Sequence, residues 1–545
     1  MHIHALIILA SLIGINSATP TQEEEYHESL TLRPLRDGKV ATHFAFTTLI
    51  RGAVPRAPHS LADDDVSQHY TLFPLALGQI LREYAITELH LNLNAGQWDY
   101  DRWGQPGEPA VGSGAELWVW MGDGAPTSVD ARWKGTQNAL AGLFCTSLGG
   151  MDAQRTTSPT RAFPPAGNLP RLSAPHTHRL RHASLPAESV CTENLTPFLK
   201  LLPCPVQAGV AALLNPHRLF DADWHGLGID VRWIAGKGVE LRMTVQAVFD
   251  PVRMSSEGKR DWTLRSLFGR VIPRACPVAS SSRITVDLPA DGGFVLLPDP
   301  SEIYPTSVAF NLARGMEELD ISMHWSQEVR FSYPLDLTST PISAISVDRT
   351  LKGASQTHGD LALVLRNNLH TPQRVLYLET LPWYIELYLH TLSVECGHSR
   401  PYELFGNLTY TPPVPHGSPT LLQAELILPP HERVRVAARF RKSFLRYTEH
   451  PPDAQRGWDL PPAVLVPEQG ARARVYTRAV LVDLATPDFS MPYNVIIMTC
   501  TLAALVFGFV FNMLTRKFVV VYVGEKKEGD ARALERVERS PSKEM

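Results

Sequence analysis

Ile229-Asp230-Val231-Arg232-Trp233 and Val239-Glu240-Leu241-Arg242-Met243-Thr244-Val245-Gln246-Ala247-Val248-Phe249 flank the short connection Ile234-Ala235-Gly236-Lys237-Gly238. In the second segment Val239, Leu241, Met243, Val245, Ala247 and Phe249 alternate with Glu240, Arg242, Thr244 and Gln246. A period of two sends one set into a core and the other towards water. The glycines on either side of Lys237 supply the backbone freedom that a hairpin turn requires. These residues predict a long antiparallel hairpin with one buried and one wet face, and hence an antiparallel sheet at the centre of the fold.

Upstream, Val40, Thr42, Phe44, Phe46 and Thr48 form a second alternating stretch, followed by Leu89, Leu91 and Leu93 and by Glu116-Leu117-Trp118-Val119-Trp120-Met121. Phe73-Pro74 opens a short helical pattern through Leu77, Ile80, Leu81 and Tyr84. Ser128 is placed to cap a helix carrying Val129, Trp133, Leu140, Phe144 and Leu148 on one face. Residues 151–188 are rich in Pro, Ser, Thr, Arg and His, and read as a disordered loop. His176, His178 and His182 there have no cysteine or carboxylate at ligand spacing, which argues against a metal site.

Beyond residue 341, strand patterns recur at 361–365, 375–378, 383–394, 421–428 and 434–440, whereas 412–419 and 450–467 are too Pro-rich for regular structure. With 44 prolines against 36 glycines, turns and short strands outweigh long helices. The expected fold is mainly β with a few helices: tandem β-sandwich-like domains at 19–340 and 341–490. In the last strand Arg433, Arg435, Arg439 and Arg441 share a face opposite Val434, Val436 and Phe440. That face reads either as a solvated strand surface or as a site for an anionic partner or phospholipid headgroups.

Residues 495–514 contain no charge and, at about 1.5 Å per helical residue, span roughly 30 Å, one bilayer core. The predicted transmembrane helix occupies 491–517. Within twenty residues upstream lies only Arg478, while Arg516, Lys517, Lys526, Lys527 and Arg532 follow, so the 518–545 tail is expected in the cytosol and the larger part in a lumen. Ala5 to Ile15 form an apolar run followed by Ser17 and Ala18, which predicts a signal peptide at 1–18. The triplets beginning at Asn194 and Asn407 fit N-glycosylation in that compartment. A net charge of −4 offers no footprint for nucleic acid.

Of six cysteines, Cys500 lies in the span, leaving Cys145, Cys191, Cys204, Cys276 and Cys396 in an oxidising compartment. Five is odd, so at least one is a thiol or bonds another chain. His225-Gly226 and Ala275-Cys276 imitate the spacing of caspase-like peptidases, and a lumenal cysteine peptidase using His225 and Cys276 is the alternative reading. The residues before His225 are not a buried parallel strand, and Pro277 follows Cys276. No Gly-x-Ser-x-Gly, His-Glu-x-x-His or Gly-x-x-x-x-Gly-Lys signature occurs.

Several stretches carry a family resemblance: residues 69–79 (His69-Tyr70-Thr71-Leu72-Phe73-Pro74), Gly114 to Trp120, Val190-Cys191-Thr192-Glu193-Asn194-Leu195-Thr196-Pro197 with Leu201-Leu202-Pro203-Cys204, Leu381-Pro382-Trp383-Tyr384, and Thr486 to Val495. Over about residues 36–517 the chain resembles the T-type subunit (PIG-T family) of the glycosylphosphatidylinositol (GPI) transamidase complex of the endoplasmic reticulum. The resemblance implies a single-pass type I membrane glycoprotein without catalytic residues or cofactor. Its implied partners are a caspase-like catalytic subunit, other subunits of the complex, precursor protein and GPI. It also implies that Cys191 forms an intersubunit disulfide; a local Cys191 to Cys204 bridge is the competing assignment. Cys204, Cys145, Cys276 and Cys396 remain for intrachain pairing. By the same resemblance Met491, Pro492, Tyr493 and Asn494 would lie at headgroup depth near GPI, and Thr499, Cys500, Thr501 and Asn512 would face other helices.

Overall fold

The computed structural model describes residues 23–517 apart from 66–67, 173–175, 205–206, 291, 314–317, 335–341, 354, 398–403, 451–455, 469–473 and 487–489. The expected signal peptide at 1–18 and the tail at 518–545 lie outside the described residues. The fold is mainly β with a few helices and one long apolar helix near the C-terminus.

The central hairpin forms as its alternation requires. Strand β6 (Trp224–Ile234) and strand β7 (Gly238–Phe249) pair in antiparallel register from Ile234↔Gly238 to Trp224↔Val248. Gly236 has φ +78° and Gly238 φ +137°, and a Cβ on Gly238 would come within 1.9 Å of the Ile50 carbonyl oxygen. Only glycine fits there. The hairpin lies inside a ten-stranded sheet that also contains β1 (Glu24–Pro34), β2 (Val40–Arg51), β3 (Ile86–Ala95), β4 (Gly114–Gly122) and β5 (His178–Leu185). The order is Glu302–Ile303, Ser307–Asn311, Ser281–Asp287, β1, β2, β7, β6, β3, β4, β5. All these neighbours are antiparallel except β1 with Ser281–Asp287.

One face of this sheet carries Leu89, Leu91, Leu93, Leu117, Val119, Leu241, Met243 and Val245 into a core shared with the helices Leu75–Glu83, Val129–Phe144 and Thr192–Lys200. Ser128 caps the second of these, its Oγ accepting from Ala131 N at 3.1 Å. The Glu24 carboxylate accepts from the amides of Thr71, Leu72 and Phe73 just before the first.

The opposite face is not wet as the alternation predicts. Thr244 and Gln246 are buried. Trp118, Trp120, Trp224 and Val248 on this face join a second core with Tyr377, Leu378, Val464 and Tyr476 from the C-terminal β region. That region is a sandwich of two five-stranded sheets. Tyr476 OH donates to Glu116 at 2.8 Å, and Trp383 Nε1 donates to Gln154 at 3.2 Å. Across the expected boundary at 340, aromatic residues on both sides share this second core, and the chain through Ala485 groups as one compact unit.

Three local readings are also corrected. Residues 151–188 are not a disordered loop: β5 pairs with β4 over eight residues, and Met151, Ala162 and Phe163 are fully buried. A few apolar residues set against the aromatic face suffice to order a polar stretch. Within the Pro-rich 450–467, Trp458–Leu460 and Val464–Pro467 are strands, with the prolines at or outside strand ends. The stretch 383–394 is broken into Ile385–Leu387, a 3₁₀ turn at Leu389–Thr391 and Ser393–Cys396, the two strands pairing in succession with Arg433–Lys442.

Candidate functional site

Cys191 sits at the N-cap of the nine-residue helix Thr192–Lys200. Its placement follows from the sequence Cys191-Thr192-Glu193-Asn194. Asn194, three residues into the helix, turns its side chain back so that Oδ1 accepts from Cys191 N at 2.7 Å, satisfying an amide that would otherwise be unpaired. The Asn194 amide nitrogen donates to Phe144 O at 2.8 Å and Cys145 O at 3.0 Å, tying the helix start to the end of Val129–Phe144. Leu195, Phe198 and Leu199 enter the core below, whereas Thr192 and Glu193 are exposed. The result is a half-buried thiol on fixed backbone, without a disulfide partner in this chain. Cys145 is exposed beside it, in the left-handed region at φ 53°.

The same hydrogen bonds argue against glycosylation at Asn194. That residue is 1% exposed and its amide nitrogen is engaged by two carbonyls, leaving no room for a glycan in the folded protein. Asn407 differs: it is exposed, on the strand Phe405–Thr411, where the register shifts between Phe405 and Leu408.

Cys204 and Cys276 form a buried disulfide across 72 residues of sequence. This overturns the local Cys191 to Cys204 bridge. It also removes the nucleophile of the peptidase alternative, because the Cys276 sulfur carries no thiol. His225 lies within β6, opposite Ala95 and Ala247, with its ring edge-on to Phe220 at 4.6 Å between centroids. Burial pushes its pKa down to about 4, against a smaller upward effect of a backbone hydrogen bond at Val190. His225 is thus a neutral core residue. Cys396 is half-buried and its Sγ donates to Glu432 at 2.5 Å.

The helix Ser490–Thr515 is long and apolar enough to cross a membrane over Tyr493–Thr515. Tyr493 and Asn494 are exposed in it; the side chains of Met491 and Pro492 lie outside the described residues. Thr499 Oγ1 donates to Val495 O at 2.7 Å and Thr501 Oγ1 to Ile497 O at 2.8 Å, so both hydroxyl protons are used within the helix. Cys500 and Asn512 remain exposed on it.

Arg433, Arg435, Arg439 and Arg441 are exposed on one strand face, as the alternation predicts. Arg435 meets Glu395 at 3.2 Å and Arg439 meets Asp360 at 3.6 Å, which fits the solvated-surface reading. Such exposed pairs contribute little, about 0–1 kcal/mol each.

Two buried polar clusters escaped sequence reasoning. Glu88 and Asp230 both hydrogen-bond the His90 imidazole, at 2.8 and 2.5 Å. Arg349 and Glu379, each with a fully buried side chain, pair between the sheets of the sandwich, and Tyr377 OH donates to Glu379 at 2.7 Å. The signal for the first is the alternation of Glu88, His90, Asn92 and Asn94 with Leu89, Leu91 and Leu93, whose leucines alone mark a strand.

A family model described as Gpi16 subunit, GPI transamidase component, matches residues 6–260 and 253–540. The chain is 34% identical over 577 residues to the GPI-anchor transamidase component PIGT of Mus musculus, covering 96% of this chain and 94% of that one. The corresponding protein of Homo sapiens is 35% identical over 549 residues, 91% of each chain. The GPI transamidase component PIG-T homolog of Schizosaccharomyces pombe is 32% identical over 536 residues, 94% of each. Among solved structures, the RrgA Jo.In complex aligns with 25% of this chain and 76% of that chain at 10% identity and a TM-score of 0.19, a likeness without weight for the fold. From the sheet strands through the Cys191 helix to the apolar span, one family covers the sequence: the chain belongs to the Gpi16 family of GPI transamidase components.

Proposed function

We propose that this chain is a non-catalytic core subunit of a GPI transamidase complex, which holds a caspase-like catalytic subunit through a disulfide at Cys191 and helps to position precursor protein and GPI. The observation that carries this reading is the state of Cys191: a surface-accessible thiol on fixed backbone, while Cys204 and Cys276 are already paired with each other. Two thiols forming the intersubunit bond lose two protons and two electrons to the disulfide pool of an oxidising lumen. The large unit then lies in the lumen of the endoplasmic reticulum, the helix Ser490–Thr515 crosses its membrane, and the C-terminus is cytosolic. Tyr493 and Asn494 meet headgroups or GPI at the lumenal surface, together with Met491 and Pro492. Asn407 is the glycosylated asparagine.

Non-reducing electrophoresis of the purified complex tests the disulfide. Cys191→Ser is expected to abolish the covalent pair while leaving part of the complex associated. A cross-linked pair that persists in Cys191→Ser overturns the assignment.

A further inference from the structure

Leu75 opens the helix Leu75–Glu83 with 49% of its surface exposed, although Leu77 and Leu81 of the same helix turn into the core. It lines an open groove of about 760 Å³ between this helix and Val129–Phe144, together with Ile80, Tyr84, Ala139 and Leu143. The last four are only half-buried. The longer helix already satisfies the core through Val129, Trp133, Leu140 and Phe144, so Ala139 and Leu143, one turn apart, form a second apolar stripe on it. Gly135 begins that stripe and admits the Tyr84 ring, which a Cβ there would meet at 2.3 Å.

The polar rim does not select an ion. Arg56 and Arg82 are balanced by Asp65 and Glu83, and Arg82 meets Asp65 at 2.6 Å. A charge-balanced rim around apolar walls suits the apolar side chains of another protein segment.

The position of the groove says which protein that is. Leu143 lies two residues before Cys145, and the Asn194 side chain bonds both Cys145 O and Cys191 N. At about 1.5 Å per helical residue, Ala139 is roughly 9 Å along the axis from Cys145. A disulfide holds its two Cα atoms within about 7 Å, so a subunit bonded to Cys191 must lie over the surface around it. A stable interface takes about 800 Å² from each partner, a patch roughly 30 Å across. Around Cys191 such a patch takes in Leu143 and extends along the groove. We infer that apolar side chains of the subunit held at Cys191 dock between the helices Leu75–Glu83 and Val129–Phe144, and that this groove supplies the non-covalent anchor of the interface. The inference rests on the Cys191 assignment.

The test uses the complete complex, with the photoreactive residue benzoylphenylalanine in place of Gln79, an exposed groove residue. Irradiation is expected to join position 79 to the chain that reduction releases from Cys191. In a second arm, Leu75→Glu and Ala139→Glu are each combined with Cys191→Ser. Each is expected to lower recovery of that chain tenfold or more relative to Cys191→Ser alone. An unchanged unfolding midpoint is the fold control; Leu75→Glu in particular puts a carboxylate in a first helical turn, where it is favoured. Full recovery with both double variants, or an adduct at position 79 with a different chain or with none, overturns the inference while leaving the disulfide standing. A pair that stays covalent in Cys191→Ser removes the disulfide reading itself, and the inference with it.

Discussion

Asn194 accepts a hydrogen bond from the backbone N–H of Cys191 at 2.7 Å, and its own amide nitrogen donates to the carbonyls of Phe144 and Cys145. One buried side chain thus fixes the start of a helix, docks it on the preceding helix and holds the backbone that carries Cys191.

Asn194→Ala is expected to cost about 1–3 kcal/mol, since it removes a cap and leaves buried carbonyls unpaired. Urea unfolding measures the loss, and non-reducing gels should show less intersubunit disulfide. Endoglycosidase treatment should shift the wild-type band by a single glycan and the Asn407→Gln band not at all.

The Cys204 to Cys276 bond closes a loop of 72 residues. Loop entropy alone assigns about 4 kcal/mol to such a cross-link. Cys204→Ala with Cys276→Ala should therefore lower the unfolding free energy by about that amount, while His225→Ala in the assembled complex leaves GPI attachment to a reporter in place. Loss of attachment by a stably folded His225→Ala chain would revive the peptidase alternative.

Arg349 and Glu379 have no solvent exposure at their side chains. Glu379→Gln leaves a buried guanidinium without its counter-charge and is expected to cost about 3–5 kcal/mol, whereas Arg349→Met combined with Glu379→Leu costs less. Denaturant unfolding of the two variants distinguishes a pair that is itself stabilising from one that only must not be broken.

Burial opposes protonation of His90, but the hydrogen bonds its ring donates to Asp230 and Glu88 prevail and raise its pKa from 6.5 to about 9. The folded state therefore binds this proton more tightly than the unfolded chain. Its contribution, about 3 kcal/mol for that rise, is fully present below pH 6.5 and is lost as pH rises through 9. Unfolding free energies of wild type and His90→Gln measured from pH 6 to 9.5 should converge towards the alkaline end.

Replacing residues 495–514 by a leucine anchor of equal length tests whether the apolar helix is more than a tether. Exposed Asn512 in that helix is expected to bond a neighbouring helix, worth about 0.6–2 kcal/mol. Recovery of the complex in detergent should fall in the swapped chain and in Asn512→Leu.

Local chemistry was legible without coordinates. The alternation from Val239 to Phe249, the glycines around Lys237, the Ser128 cap and the charge-free run at 495–514 each depend on neighbours in sequence, because side-chain period, turn freedom and helix capping are short-range properties. The odd cysteine count likewise followed from composition and compartment. Tertiary structure alone decided which cysteines are left over: Cys204 meets Cys276, 72 positions away, leaving Cys145, Cys191 and Cys396 outside the span without a disulfide, and no spacing rule names that partner. It also decided that the second face of the sheet is covered, because Trp118, Trp120 and Trp224 share a core both with Trp98 and Phe163 and with residues beyond 340. Polarity that looks like a solvated face in the sequence, in Glu88, His90 and Asn92, is buried for the same reason: whether a polar side chain meets water or another chain segment depends on what the rest of the fold lays over it.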